Sequence, residues 1–89
     1  MITVQVYTTL KEKLKTGKIE LETLNVADAL KKLEKQFGAA FRNELYDGKK
    51  LKNYYIFLHN GKAIDHKKVA KEKLKDGDTL HIFPPIAGG

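Results

Sequence analysis

Residues 25–38 read NVADALKKLEKQFG, and this stretch decides the fold. Asn25 has the side chain of a helix N-cap, Asp28 follows three residues on, and apolar residues recur at Val26, Ala29, Leu30, Leu33 and Phe37. That spacing draws one apolar stripe along a helix, and Gly38 is placed to end it. The opposite face carries Lys31, Lys32, Glu34 and Lys35, which suits water. One substantial helix with a single apolar stripe needs a sheet to lie on.

Working outward, strand patterns stand on both sides of it. Residues Ile2 to Tyr7 alternate, with Ile2, Val4 and Val6 on one face and Thr3, Gln5 and Tyr7 on the other. Thr8 to Lys15 reads as a helical turn or loop carrying Leu10 and Leu14. Gly17 introduces a second strand, Lys18 to Glu22, with Ile19 and Leu21 inward. Beyond the helix, Phe41 to Tyr46 forms a short helix closed by an Asp47-Gly48 turn. Tyr54 to His59 is a strand, and Asn60-Gly61 is a hairpin turn leading into Lys62 to Ile64. Alternation is expected to turn Ile56 and Leu58 inward and Tyr55, Phe57 and His59 outward. Asp65 to Leu74 is irregular and basic, with Val69 and Leu74 plugging the core. After Asp76-Gly77-Asp78 comes the last strand, Thr79 to Phe83, with Leu80 and Ile82 facing the helix. The order predicts an α+β two-layer sandwich with one main helix on one face of the sheet. The other face then gathers Tyr7, Phe57, His59, His81 and Phe83, an aromatic patch of the kind enriched at interfaces.

Composition narrows the chemistry. Eighty-nine residues make one domain, 42% hydrophobic and 31% charged. There is no cysteine, which excludes disulfides, thiolate metal sites and a side-chain persulfide. No apolar run approaches the length of a membrane helix, so a cytoplasmic protein without a membrane partner is expected. The charge of +6 comes mainly from lysines, clustered at Lys49, Lys50 and Lys52 and again at Lys67, Lys68, Lys71, Lys73 and Lys75. An acidic protein surface, a lysine-rich thermophile surface and nucleic acid each fit such clusters. His59, His66 and His81 lack the helical spacing of histidine metal motifs, so no metal site is expected. Neither a phosphate-binding glycine loop nor a nucleophile–base pair is present.

The chemistry points to the other end. Residues 83–89 read FPPIAGG. Pro84 and Pro85 fix φ and stop the strand from continuing its ladder, while Gly88 and Gly89 pass constrictions that a side chain would block. From Phe83 the stretch reaches roughly 20 Å when extended, at about 3.3 Å per residue. The sequence thus describes a domain over residues 1–83 and a tail over 84–89, with the main-chain carboxylate of Gly89 as the chemical handle.

The N-terminal strand, the capped helix from Asn25 to Phe37, the segment Lys75-Asp76-Gly77-Asp78 and the FPPIAGG tail resemble the small sulfur-carrier subunit of molybdopterin synthase. That subunit belongs to a ubiquitin-like β-grasp family which includes the thiamin-pathway sulfur carrier. The resemblance covers the whole chain, and the Pro-Pro neck favours the molybdopterin branch. It implies that an E1-like enzyme adenylates Gly89 with ATP and converts it to a thiocarboxylate. The tail of Pro84, Pro85, Ile86, Ala87 and Gly88 then enters the large synthase subunit, within a heterotetramer, where the sulfur builds the dithiolene for molybdenum or tungsten. It also implies that the chain binds no cofactor, is not itself an enzyme, and leaves the acid–base chemistry to its partners. Phe83 and Tyr7 fall where the family contacts those partners; Phe57, His59 and His81 extend the patch by alternation. The same activated carboxylate could serve transfer-RNA thiolation, the thiamin pathway or isopeptide conjugation. A basic nucleic-acid-binding module, stacking bases on Tyr54, Tyr55 and Phe57, is the distant alternative, and it leaves the tail unexplained.

Overall fold

In the computed structural model, which describes residues 1–84, the chain runs β1 (Ile2–Val6), α1 (Thr8–Leu14), β2 (Lys18–Leu21), α2 (Val26–Phe37), α3 (Ala39–Leu45), β3 (Tyr46–Asp47), β4 (Lys50–Leu51), β5 (Ile56–His59), β6 (Lys62–Ala63), a 3₁₀ turn (His66–Lys71) and β7 (Thr79–Phe83). The main sheet, among the described residues, is ordered β2-β1-β7-β5-β6. Its central pair, β1 and β7, is parallel, with Val4 across from Leu80 and Val6 across from Ile82. The flanking pairs are antiparallel. First and last strands therefore lie side by side and finish at the same end of the sheet.

Helix α2 is built as its sequence dictates. The Asn25 side chain accepts from the backbone N–H of Asp28 at 2.7 Å, satisfying one of the orphan donors of the first turn. The Thr23 hydroxyl donates to the Asp28 carboxylate at 2.6 Å. Gly38 ends the helix at φ 63°, its N–H donating to the carbonyl of Glu34. Val26, Ala29, Leu30 and Leu33 are buried in a core shared with Ile2, Val4, Val6, Leu80 and Ile82 of the central strands. Leu10 and Leu14 of α1, Ile19 and Leu21 of β2, and Phe41 and Leu45 of α3 join it, with Val69 and Leu74 as the expected plugs. The α+β sandwich with a mixed sheet is the architecture the sequence predicts.

Three local expectations are corrected. Thr8–Leu14 is a helix and not merely a turn, closed by Lys15 in the left-handed region at φ 60°. Asp47-Gly48 sits in a small hairpin of β3 and β4, paired Tyr46 to Leu51 and Asp47 to Lys50. The largest correction is in β5, which begins at Ile56 and has the opposite parity to that expected. Phe57 pairs with Ile82 and is 1% exposed, whereas Ile56 pairs with Phe83 and is 48% exposed. A shift of one residue in register carries every side chain to the other face. Tyr55 turns inward for the same reason, and Leu58, across from His81, turns outward. The Asn60-Gly61 hairpin forms as expected, with φ 51° and 88°, the two positive values that a tight hairpin turn needs.

Candidate functional site

The open face of the sheet, opposite α2, carries the site. Because β1 and β7 are parallel, Tyr7 just beyond β1 and Phe83 at the end of β7 emerge together. Their rings stack with centroids 4.2 Å apart and planes 7° from parallel. His81, two residues back on β7, lies 5.9 Å from the Tyr7 ring at 24°. The Tyr7 hydroxyl is 2.7 Å from His81 Nδ1 and 2.8 Å from Gln5 Oε1. Gln5 stands across from His81 in the parallel pair, so both reach the hydroxyl from neighbouring strands. On the other side of β7, Ile56 and Leu58 extend the patch. Tyr7, His81 and Phe83 are thus brought together as the alternation of β1 and β7 predicted.

Phe57 and His59 are not part of it. The Phe57 ring is sealed in the core. His59 sits at the far end of β5, across from Leu80, on the core-facing side of the sheet's edge. Its Nδ1 is 2.7 Å from Glu72 and its Nε2 is 2.6 Å from Asp78. Two carboxylates at hydrogen-bond distance raise its pKa above the ordinary 6.5, the bond to Glu72 contributing most. Asp78 also accepts from the Asn60 amide and the Lys75 backbone N–H, both at 2.9 Å. The Asn60 bond, then those from His59 and Lys75, bring its pKa down to about 2. This cluster joins the 3₁₀ turn, the β5 hairpin and the start of β7, at the opposite end of β7 from Phe83.

Beside Phe83 the chain passes into Pro84, which is buried. Pro84 lines a shallow recess of about 130 Å³ with Thr9, Glu44, Lys52, Tyr54 and Tyr55. The Tyr55 hydroxyl donates to Glu44 at 3.1 Å, and burial followed by that carboxylate raises its pKa. Tyr54 is half exposed, stacked on Tyr55 at 5.8 Å, with the Lys52 ammonium 5.9 Å above its ring. Pro85, Ile86, Ala87, Gly88 and Gly89, the expected tail, lie outside the described residues. Among the described residues, no group of three or more metal-ligating side chains is arranged around a common point, and no helix is long and apolar enough to cross a membrane.

Gln5, Ile56 and Leu58 are the site residues that sequence reasoning missed. Alternation had placed Gln5 on the correct face; only the β1–β7 pairing joins it to His81, and no local signal encodes that pairing. The β5 residues were missed through the parity error.

Residues 4–89 match the ThiS family. The chain belongs to that family. It is one of ubiquitin-like sulfur carriers and protein modifiers. Small archaeal modifier protein 3 of Haloferax volcanii is 34% identical over 64 residues, spanning 72% of this chain and 68% of the relative. The solution structure of small archaeal modifier protein 1 from Methanosarcina acetivorans superposes with a TM-score of 0.84 at 28% identity, covering 99% of this chain and 95% of that one. A Pyrococcus furiosus protein provisionally assigned as subunit 1 of molybdopterin converting factor gives 0.67 at 25% identity, covering 96% and 97%. These neighbours carry the ubiquitin-like β-grasp fold. This ThiS-family chain keeps its stacked aromatics at the point where β7 hands over to the FPPIAGG segment.

Proposed function

We propose that the chain is a sulfur carrier that works through the main-chain carboxyl of Gly89. The observation that carries the proposal is the Tyr7–Phe83 stack at the end of the parallel β1–β7 pair. It makes a firm aromatic platform at the root of a segment rich in proline and glycine. An ionised α-carboxylate, with an ordinary pKa of about 3.3–3.7, is a poor electrophile. An E1-type enzyme would transfer AMP from ATP to one carboxyl oxygen, releasing pyrophosphate and forming an acyl-adenylate. A hydrosulfide ion then attacks the carbonyl carbon, AMP departs with the carboxyl oxygen, the S–H proton is lost, and a thiocarboxylate remains. The domain contributes binding energy that positions this group, while acid–base chemistry lies on the partner.

The destination we favour is a large synthase subunit that builds the dithiolene of a molybdenum or tungsten cofactor. The Phe83-Pro84-Pro85 neck and the likeness to the Pyrococcus furiosus protein support it. Conjugation to lysine side chains is the second reading, favoured by the 34% identity to a protein named as a modifier. One experiment separates them. The protein is isolated from its own cells and also incubated with an E1-type enzyme, ATP and a sulfur donor. Intact mass is then measured. Exchange of one oxygen for sulfur at Gly89 supports the carrier. Adducts in which Gly89 is joined to another protein's lysine support the modifier. A protein that undergoes neither, or that continues beyond Gly89 in the cell, would falsify both.

A further inference from the structure

We propose that Gln5 and His81 are positioning residues, which fix the direction in which the chain leaves the sheet by pinning the Tyr7 hydroxyl. The inference rests on the carrier function proposed above and adds to it a role for two polar side chains that nothing else explains. A tyrosine hydroxyl has one proton and can accept as well. Gln5 Oε1 and His81 Nδ1 both lie within 2.8 Å of it. One of the two therefore accepts the proton while the other donates into the oxygen. When Tyr7 donates to Gln5, the His81 Nδ1–H donates to Tyr7; the reverse arrangement needs the Gln5 amide turned over. Either way the hydroxyl is held from two strands at once, which prevents the ring from swinging about χ1.

The held ring is the one that Phe83 lies on. Offset or parallel stacking orients a ring but leaves it free to slide, because the attraction is shallow and non-directional in plane. Two hydrogen bonds at the far edge of Tyr7 remove that freedom. Phe83 is the last residue of β7, and Pro84 follows with φ fixed by its ring. Orientation imposed on Phe83 is thus passed directly to the exit of the chain. The backbone beside the pin is strained in a consistent way. Thr8 has φ 48°, which a β-branched residue rarely adopts, and such strain persists where surrounding contacts over-determine a position. Tyr7, fixed at its hydroxyl and under Phe83, supplies that constraint.

The test uses Tyr7→Phe, which keeps the ring and removes the hydroxyl, with His81→Leu against His81→Asn, whose amide can occupy the place of Nδ1. Two measurements are made on each folded protein. The first is the ring-current shift of the Phe83 ring protons and of the Pro84 Hδ protons by NMR. The second is ATP–pyrophosphate exchange by an E1-type enzyme with the protein as substrate, separating KM from kcat. Tyr7→Phe and His81→Leu are expected to move the Phe83 and Pro84 shifts toward free-peptide values. They should raise KM about three- to tenfold, the factor carried by one hydrogen bond, with a smaller change in kcat. His81→Asn should recover most of both. Exchange at unchanged KM, with unchanged Phe83 shifts in Tyr7→Phe, overturns the positioning role and leaves the carrier function standing. Failure of the wild-type protein to support any exchange overturns the carrier function, and this inference with it.

Discussion

Phe57 lies directly across from Ile82 in the antiparallel β5–β7 pair, and both side chains are sealed in the core. Ile56, one residue earlier, lies across from Phe83 and is half exposed. Two adjacent apolar residues therefore do different work. Truncating Phe57 removes a buried ring and leaves a cavity, so Phe57→Ala is expected to cost about 3–5 kcal/mol in urea unfolding. Ile56→Ala is expected to cost less than about 1 kcal/mol, because about half of its surface is already wet. It should instead weaken partner binding measured by calorimetry. Equal destabilisation by the two variants would contradict the assigned parity.

The Tyr7–Phe83 stack invites a double-mutant cycle. Each ring is only partly buried, so each single alanine variant should remain folded. Coupling between the two is expected at about 0.5–1.5 kcal/mol, the range for stacked aromatic pairs beyond their area burial. Purely additive losses in urea unfolding would mean that the rings merely share the surface.

The His59 cluster makes stability depend on pH at both ends. Both imidazole nitrogens face carboxylates, so the doubly protonated ring suits the site and the neutral ring turns a lone pair toward one of them. A pKa raised by folding means that the contribution is full below the ordinary 6.5 and fades as pH climbs through the raised value. Asp78 behaves oppositely, since its pKa falls from the ordinary 3.8 to about 2. Its contribution is full above the ordinary value and is lost as pH drops toward 2. The groups facing the ring are Glu72 from the end of the 3₁₀ turn and Asp78 before β7, with Lys62 across the β5–β6 pair. Urea midpoints should therefore hold a plateau between about pH 4 and 6.5 and decline on either side. His59→Gln should flatten the alkaline decline and weaken the acid one without removing it, since Asn60 and the Lys75 backbone N–H still hold Asp78. An unchanged alkaline limb in that variant would show that another group is responsible.

Helix α2 was fully legible in the sequence because every signal that defines it is local: the Asn25 cap, the stripe from Val26 to Leu33 and the Gly38 stop. The same holds for β1 and β7, whose alternation separates Val4 and Leu80 from Gln5 and His81 without ambiguity. β5 was different. Tyr54 to His59 is apolar at almost every position, so either parity buries a plausible set, and aromatic rings at Tyr55 and Phe57 mimic an exposed patch. Only pairing with Ile82 and Phe83 decides which set faces inward. The His59 cluster was hidden for a related reason, since it joins residues 59, 72 and 78 from three elements. Tyr7, His81 and Phe83 were readable as a set by face, but their hydroxyl network was not, because the β1–β7 register is a long-range property.

The tail makes a prediction that separates delivery from folding. Pro84 ends the described chain in a buried position beside Tyr55, and Phe83 is the last residue of the ladder. Among the described residues the buried core runs in sequence from Ile2 to Ile82, so changing Gly88 or Gly89 is expected to leave the melting curve of the domain nearly unmoved. Function would respond very differently. A thin diglycine passes where a Cβ would clash, and the reacting carbon must sit within about 3–3.5 Å of its attacker. An alanine added after Gly89 moves the carboxyl by one residue, roughly 3.3 Å, far outside that tolerance. Gly88→Phe instead places a ring in the passage itself. Both variants are expected to abolish thiocarboxylate formation, read as the loss of the sulfur-for-oxygen exchange in intact mass, with melting temperatures like the wild type. Normal exchange by either would show that the carboxyl is not threaded through a narrow channel, and the carrier's tail would need a different mode of presentation.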